Sequence, residues 1–220
     1  MKKILLLIGL LTLLGNAQAC IDQKLSDKDN FVNCKKAAEL GLADAQYNLG
    51  KMYRNGLGVN QNDEQALSWY LKSAKQGDAS AQYILGIMHS QGEGTDQDKQ
   101  QARLWAQKAA NQGFSEAQYF LGTMYDSQGQ DVIQDDKQAF LWYQKAAKQG
   151  HVFALFNLGN MYYAGQEVEQ DFIMAQMFWR VAAAKGSKHA AMSRDVIAKD
   201  MTTAQKEKSL KLAREWIATH

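Results

Sequence analysis

The sequence reads AQYNLGKMY at residues 45–53 and repeats this pattern as AQYILGIMH from Ala81, AQYFLGTMY from Ala117 and ALFNLGNMY from Ala154. A fifth alanine, Ala190, continues the series, so that successive alanines lie 36, 36, 37 and 36 residues apart. A fixed period in this range is typical of a solenoid, in which each unit packs on its neighbours. The four copies therefore predict a helical-repeat fold.

Each repeat unit contains two helical patterns separated by a glycine-bearing loop. In the first unit, helix A is predicted at about residues 44–55 and helix B at about 62–76. Every helix B begins at a good N-cap residue and ends at a glycine, which tolerates positive φ. The N-cap column contains Asn62, Asp98, Asp135 and Asp171, and the glycine column contains Gly77, Gly113, Gly150 and Gly186.

The recurring residues of helix A indicate two packing faces. On a helical wheel, Ala45, Leu49 and Met52 share one face with Tyr53, which suits burial against helix B of the same unit. Gly50 lies on another side, where a helical glycine costs about 1 kcal/mol unless a neighbouring backbone approaches closely. We therefore expect Gly50 to contact the adjacent unit. Its equivalents are Gly86, Gly122 and Gly159.

These motifs resemble the Sel-one-like repeat family, which is related to the tetratricopeptide repeat. The pattern is LG-x-MY, a loop such as GLGV, and then A-x-x-WY-x-K-x-A-x-x-G. Its second half is represented in the first copy by Ala66, Trp69, Tyr70, Lys72, Ala74 and Gly77. The resemblance covers about residues 35–220 and implies an all-α, right-handed α/α superhelix that acts as an adaptor for other proteins.

The predicted organisation follows from the repeat period and from this resemblance. We expect four repeats at residues 45–80, 81–116, 117–153 and 154–189. A half-repeat at residues 20–44 would cap the N-terminal end, because CKKAAELGLAD from Cys34 matches the tail of a helix B. Residues 190–220 would form C-terminal capping helices.

The first 19 residues have the layout of a secretory signal peptide. Lys2 and Lys3 precede an apolar run over residues 4–14, and a small-x-small site ends at Ala19. That run is too short to span a bilayer, since a spanning helix needs about 20 apolar residues. No later segment is longer or more apolar, so no membrane span is expected. Cleavage would leave Cys20 first, and soluble export to the periplasm or beyond and a lipid anchor on Cys20 are both open interpretations.

Both cysteines of the chain, Cys20 and Cys34, lie near the start of the mature part. In an oxidising compartment an even pair is a candidate disulfide. Closing a loop of about 15 residues contributes roughly 3 kcal/mol in the chain-entropy model. The pairing favours soluble export over a lipid anchor, and two unpaired thiols are the alternative.

Charge and motifs exclude several classes of function. Without Lys2 and Lys3, the chain has 23 basic and 23 acidic residues. It therefore has no basic excess to neutralise phosphates, and nucleic acid is not expected as a partner. The sequence also lacks G-x-S-x-G, S-x-x-K, H-E-x-x-H, P-loop and dinucleotide-binding motifs. We predict no enzymatic activity, no cofactor and no metal site.

Several polar residues could suggest a catalytic or metal site, but each has a simpler structural interpretation. His89 replaces the tyrosine of the motif and is interpreted as a half-buried core residue rather than a base or a ligand. The acidic residues of the third loop are interpreted as helix caps and solvated side chains rather than a cation site; they are Asp131, Asp135 and Asp136. A lysine column is interpreted as a solvated face; it contains Lys72, Lys108 and Lys145.

Columns that vary among the copies are not required for packing, so they are candidates for partner binding. In helix A these columns fall within about 60° on the wheel, and stacking would align them on the concave surface. The first two columns contain Asn48, Lys51, Ile84, Ile87, Phe120, Thr123, Asn157 and Asn160, and the third contains Asn55, Gln91, Ser127 or Gln128, and Ala164. Ile84, Ile87 and Phe120 suit an apolar hot spot. Packing of these three on the next unit is the alternative.

The predicted function is an exported, non-enzymatic scaffold that binds a peptide or protein in the concave groove. A narrower alternative is an immunity or inhibitor protein that neutralises a secreted toxin, because members of the resembled family of this size occur in that role. A cell-wall-related or β-lactam-binding enzyme is the least favoured alternative. The relatives described in that role have a cysteine pair in every repeat, and this chain does not.

Overall fold

The computed structural model describes residues 20–126 and 135–220. Over these ranges the chain is all-α, with eleven helices and no strand. This confirms the predicted fold class, a helical repeat of the α/α solenoid type. The predicted signal peptide, Asp131, and the Ser127 and Gln128 positions lie outside the described residues. The chain forms two compact units, Met1–Gln112 and Gly113–His220.

The first unit contains five helices in its described part, and each packs on the next along the chain. They are α1 (Asp27–Glu39), α2 (Ala43–Asn55), α3 (Asp63–Lys75), α4 (Ala79–Gln91) and α5 (Lys99–Asn111). Helices α2 and α4 are the helices A of the first two repeats, and α3 and α5 are the helices B. Helix α1 has the place of a helix B before the first repeat, and it is followed by Gly41 with φ +90°.

The second unit contains six helices in its described part. They are α6 (Ser115–Asp126), α7 (Asp136–Lys148), α8 (Val152–Ala164), α9 (Phe172–Ala184), α10 (Lys188–Ile197) and α11 (Thr203–Thr219). Neighbours pack in chain order from α6 to α10, and α11 returns to pack on α9. The Trp216 ring of α11 lies edge-on to Phe178 of α9, with 5.2 Å between the ring centroids.

The predicted ends of every helix B are present. The Asn62 side chain accepts the Gln65 backbone N–H at 2.8 Å, and Asp135 accepts that of Gln138 at 2.9 Å. These bonds satisfy backbone donors that have no partner within the helix. The glycines that follow helices B have φ between +80° and +100°, as a left-handed helix end requires. They are Gly77, Gly113, Gly150 and Gly186.

The prediction that the helix A glycines contact the adjacent repeat is wrong, because they contact helix B of their own repeat. A Cβ on Gly50 would lie 3.0 Å from the ring of Tyr70, which belongs to helix B of the same repeat. A Cβ on Gly122 would overlap the ring of Tyr143, again within one repeat. The glycine therefore lets an aromatic ring of its own repeat lie directly on the helix A backbone.

The face with Ala45, Leu49 and Met52 packs on the preceding helix α1 as well as on Trp69 of helix B in its own repeat. These residues form one buried cluster with Cys34 and Ala38 of α1. A helical wheel gives the angle between two faces but does not say which neighbour each face meets. The contact predicted for this face is therefore present through Trp69, but the prediction omitted the preceding helix.

Buried glutamines join successive helices in the first three repeats. In α2, Gln46 donates from Nε2 to the Ala38 carbonyl at 3.2 Å, and its Oε1 accepts from Gln76 at 2.7 Å. Gln76 also donates to the Gly41 carbonyl at 3.0 Å. The amide pairs recur as Gln82–Gln112 and Gln118–Gln149. Because buried polar groups need partners, these pairs fix the register of neighbouring helices.

The lysine column is exposed, but it does more than face solvent. The Nζ atoms of Lys72 and Lys145 both lie 3.6 Å from the centroid of a tryptophan ring three residues earlier in the same helix. Lys108 repeats the arrangement over Trp105 at 4.1 Å. The interpretation as a merely solvated face is therefore incomplete, because each ammonium covers an indole in a cation–π contact.

The predicted disulfide is present. Cys20 and Cys34 are bonded, which attaches the segment before α1 to that helix. Asn30 of α1 adds to this attachment, since its amide accepts from the Asp22 backbone N–H at 2.8 Å and donates to the Asp22 carbonyl at 3.0 Å. Among the described helices, none has the length and apolarity that a membrane crossing requires.

Candidate functional site

The second unit contains an open cavity of about 450 Å³. It is bounded by α8, α9 and α10, and its lining combines three aromatic, three aliphatic and three polar side chains. These are Tyr163, Phe172 and Trp179; Met192, Val196 and Ile197; and Asn160, Ser193 and Asp200. A volume of this size falls within the usual range of ligand pockets, which are mainly apolar with a few polar groups.

Trp179 of α9 forms the floor of the cavity. Its ring lies directly on Gly159 of α8, where a Cβ would overlap the indole. The indole N–H donates to the Phe156 carbonyl and to Asn160 Oδ1, both at 3.2 Å. With only 4 % of its surface exposed, the ring is fixed in orientation. A rigid aromatic floor loses little conformational entropy when a ligand packs on it.

The walls of the cavity are unusually exposed for large apolar side chains. Tyr163 is 49 % exposed, Met192 66 % and Val196 63 %. The Tyr163 ring lies 5.7 Å from both Phe172 and Trp179, measured between centroids, so the three aromatic groups form one surface. A contiguous apolar surface with a polar rim is typical of an interaction site.

Acid–base chemistry has no evident centre in this cavity. Burial raises the pKa of Tyr143, and the neighbouring Asp126 carboxylate raises it further. Burial lowers the pKa of His151. Neither residue lines the cavity, and both act in packing and helix capping. Among residues 20–126 and 135–220, no three His, Cys, Asp or Glu side chains are grouped as a metal site would need.

Two residues interpreted from the sequence keep structural roles. Asp135 caps α7, as predicted. His89 is half-buried in α4, and its buried Nδ1 has no hydrogen-bond partner among the described residues. Neither Asp135 nor His89 lines the cavity described above.

Comparison with known proteins identifies the repeat. A model of the Sel1 repeat matches residues 43–78, 79–114, 115–151 and 152–187. The chain belongs to the Sel1 repeat family. Each match begins at the first residue of a helix A, namely α2, α4, α6 and α8. Sel1 repeat proteins are in general scaffolds for protein–protein interactions.

Solved structures support the same assignment. A protective antigen of uropathogenic Escherichia coli strains, c5321, is 31 % identical with a TM-score of 0.78, over 88 % of this chain and 42 % of its own. A Sel1 repeat protein from Oxalobacter formigenes is 36 % identical with a TM-score of 0.71, over 78 % of this chain and 49 % of its own. This Sel1 repeat chain therefore spans less than half the length of either protein.

A third solved structure shares the fold at greater distance. Immunity protein Pa5087 from Pseudomonas aeruginosa is 23 % identical with a TM-score of 0.50, over 91 % of this chain and 76 % of its own. Identity at this level shows a common fold alone.

In the first unit, the structure places four residues of the first two variable columns on helices A. Lys51 is exposed, and Asn48, Ile84 and Ile87 are half-buried. Ile84 packs at the edge of a buried cluster that includes Tyr70 and Leu85. Because part of its surface already serves packing, Ile84 is a weaker candidate for partner binding than the sequence pattern suggests.

The second unit contains the other four residues of the first two variable columns. They differ in exposure and in hydrogen bonding. Phe120 and Thr123 are half-buried, and the Thr123 hydroxyl donates to the Phe120 carbonyl at 2.7 Å. The half-buried Asn157 is hydrogen-bonded to the Tyr143 hydroxyl. Asn160 is exposed and lines the cavity. The apolar patch predicted from Ile84, Ile87 and Phe120 spans both units and stays a prediction.

Sequence reasoning missed the cavity because it stopped at the fourth copy. Continuing from Ala190, the three variable columns contain Ser193, Val196 and Asp200 in α10 and the turn after it. All three line the cavity, as Asn160 of the preceding copy does. The fifth alanine, read as the start of a further helix A, would have identified them.

Proposed function

We propose that this Sel1 repeat protein is an exported, non-enzymatic scaffold that binds a peptide or protein segment in the cavity of its C-terminal repeat. The observation that supports this proposal is the aromatic surface formed by Tyr163, Phe172 and Trp179, opposite the exposed Met192 and Val196. Burying about 100 Å² of apolar surface would contribute roughly 2.5 kcal/mol before the costs of association. Several such side chains suffice for a hot spot.

Export is supported by two features. The first 19 residues match a signal peptide, and the first cysteine after them forms a disulfide with Cys34. The Cys20 sulfur cannot form that disulfide and the thioether of a lipid anchor at once. The proposal is therefore soluble export, and the intact mass of the exported protein tests it. A diacylated Cys20 would contradict soluble export without affecting the binding proposal.

The binding proposal is tested with two matched variants. Met192→Asp combined with Val196→Asp places charges on the cavity wall, at positions that are already exposed and so tolerate polar side chains. Leu104→Asp places a charge on α5, where Leu104 is 52 % exposed. Each mature protein is immobilised and used to capture proteins from a periplasmic extract of cells that carry the gene, with quantification by mass spectrometry.

We expect partners that the parent and Leu104→Asp capture equally and that the double variant loses. Circular dichroism confirms that all three proteins are folded. Identical captured sets for the parent and the double variant would refute binding in the cavity. An immunity role is not carried over from Pa5087, because that likeness shows the fold alone, but a captured toxin that the parent inhibits would favour it.

A further inference from the structure

The cavity has a single charged group in its lining, the Asp200 carboxylate. Asp200 follows α10, and its backbone N–H donates to the Ile197 carbonyl at 3.1 Å. Within the described part of the chain its exposed carboxylate has no hydrogen bond or ion pair. An exposed carboxylate at the edge of an apolar surface can accept from a cationic side chain of a ligand without losing an existing bond.

The loop that precedes Phe172 is acidic in sequence, although its acidic side chains are not part of the cavity lining. Residues 165–171 join α8 to Phe172 of the cavity and contain three acidic side chains and no basic one. These are Glu167, Glu169 and Asp171. Asp171 is engaged as the N-cap of α9, and Lys199, beside Asp200 in sequence, does not line the cavity either. The charge argument therefore rests on Asp200.

Two further polar groups of the rim are available to a ligand backbone. Asn160 uses its Oδ1 to accept from Trp179, whereas its Nδ2 makes no hydrogen bond among the described residues. The Ser193 hydroxyl likewise has no partner there. An amide donor and a hydroxyl beside an apolar surface suit the carbonyl and N–H groups of an extended peptide, since these polar groups need partners when they are partly buried.

From this arrangement we infer that the occupant of the cavity is a peptide segment with one large apolar side chain close to a lysine or arginine. The apolar side chain packs on Trp179 and Tyr163 between Met192 and Val196, and the basic side chain pairs with Asp200. The inference rests on the proposed function and adds the chemistry of the partner. It predicts discrimination against acidic segments, because Asp200 would then face a like charge.

The test uses an array of synthetic 12-residue peptides of random sequence, probed with labelled mature protein. The best-bound peptide is then made again with each lysine or arginine replaced by glutamine. Dissociation constants of both peptides are measured by fluorescence anisotropy for the parent, Asp200→Asn, Met192→Gln and Leu104→Gln. The Asp200→Asn change keeps the shape of the side chain and removes only its charge. Because Asp200 is exposed, we expect this variant to fold as the parent does.

We expect bound peptides to be enriched in large apolar residues within two positions of lysine or arginine. Asp200→Asn should weaken the basic peptide about two- to fivefold, as an exposed ion pair does, and should leave its glutamine twin unchanged. Met192→Gln should weaken both peptides, because it removes apolar surface without adding a charge, and Leu104→Gln should weaken neither. The parent's preference should also shrink at high salt.

Each remaining outcome has a separate meaning. Equal binding of the basic peptide and its glutamine twin by the parent would overturn the inference while leaving peptide binding intact. A preference that Asp200→Asn does not change would also overturn it, because the cation would then bind elsewhere. Absence of any bound peptide in the parent would count against the proposed function itself.

Discussion

Gly122→Ala tests directly which neighbour the helix A glycine meets. In an exposed helix this change would stabilise the protein by about 1 kcal/mol through helix propensity. Here the added methyl group would overlap the ring of Tyr143, which is fully buried and bonded through its hydroxyl to Asp126 at 3.1 Å. A tethered ring cannot move aside easily, so the overpacking cost lies towards the upper part of the usual range of about 1–3 kcal/mol. The net expectation is a loss of about 1–2 kcal/mol.

The assay is urea unfolding at equilibrium, followed by circular dichroism. Gly86→Ala is the comparison variant, because its Cβ would lie 3.2 Å from the Ala102 carbonyl oxygen, a milder contact than the overlap at Gly122, and it should therefore be destabilised less. Gly122→Ala combined with Tyr143→Leu should be less destabilised than the sum of the two single changes, since the smaller side chain removes the overlap. A stabilising Gly122→Ala, or strictly additive effects, would refute the same-repeat contact.

Three further predictions concern stability. Cys20→Ala with Cys34→Ala should lower the free energy of unfolding by roughly 3 kcal/mol, measured in urea, whereas an unchanged value would show that the disulfide does not restrain the unfolded chain. Because burial lowers the pKa of His151, its contribution to stability should be full above pH 6.5 and fall as the pH drops below it. His151→Asn keeps an N-cap and should lose part of that pH dependence; an identical pH profile would contradict this origin. Lys145→Met should cost about 0.5–1 kcal/mol by removing the cation over Trp142, and a neutral result in thermal unfolding would contradict that contact.

The repeat itself could be predicted from the sequence because its signals are local. An N-cap such as Asn62 and a positive-φ glycine such as Gly77 act within one helix end, so their columns can be recognised without knowing the fold. The partners of Gly50 could not be assigned in this way. Two helices contact helix A, and the wheel does not distinguish the preceding helix from the following one.

The glutamine amide pairs, each with one buried member, were missed, although the chain contains a signal for them. Gln46 and Gln76 occupy columns that are both glutamine in the first three copies. In the fourth copy both columns change together, to Leu155 and Lys185. Joint loss is the pattern expected of two groups that satisfy each other, because a buried amide left without its partner is costly.

The fourth copy has Phe178 and Trp179 where the third has Trp142 and Tyr143, and the structure gives this difference a role. It places the indole on Gly159, where Tyr143 stands in the preceding repeat, and this indole becomes the cavity floor. Asn160, a member of a variable column, lies in the cavity lining, and its part in binding stays a prediction. The variable columns did not reveal that neighbouring asparagine and isoleucine members were already engaged in packing or hydrogen bonds.

The central claim is that the cavity of the C-terminal repeat contacts the partner. Its most direct test is to replace Met192 with a photo-crosslinking phenylalanine derivative in the exported protein and to irradiate intact cells. The account predicts a specific crosslinked adduct from position 192 and none from the same replacement at Leu104. Adducts of equal yield at both positions, or an adduct at Leu104 alone, would contradict it.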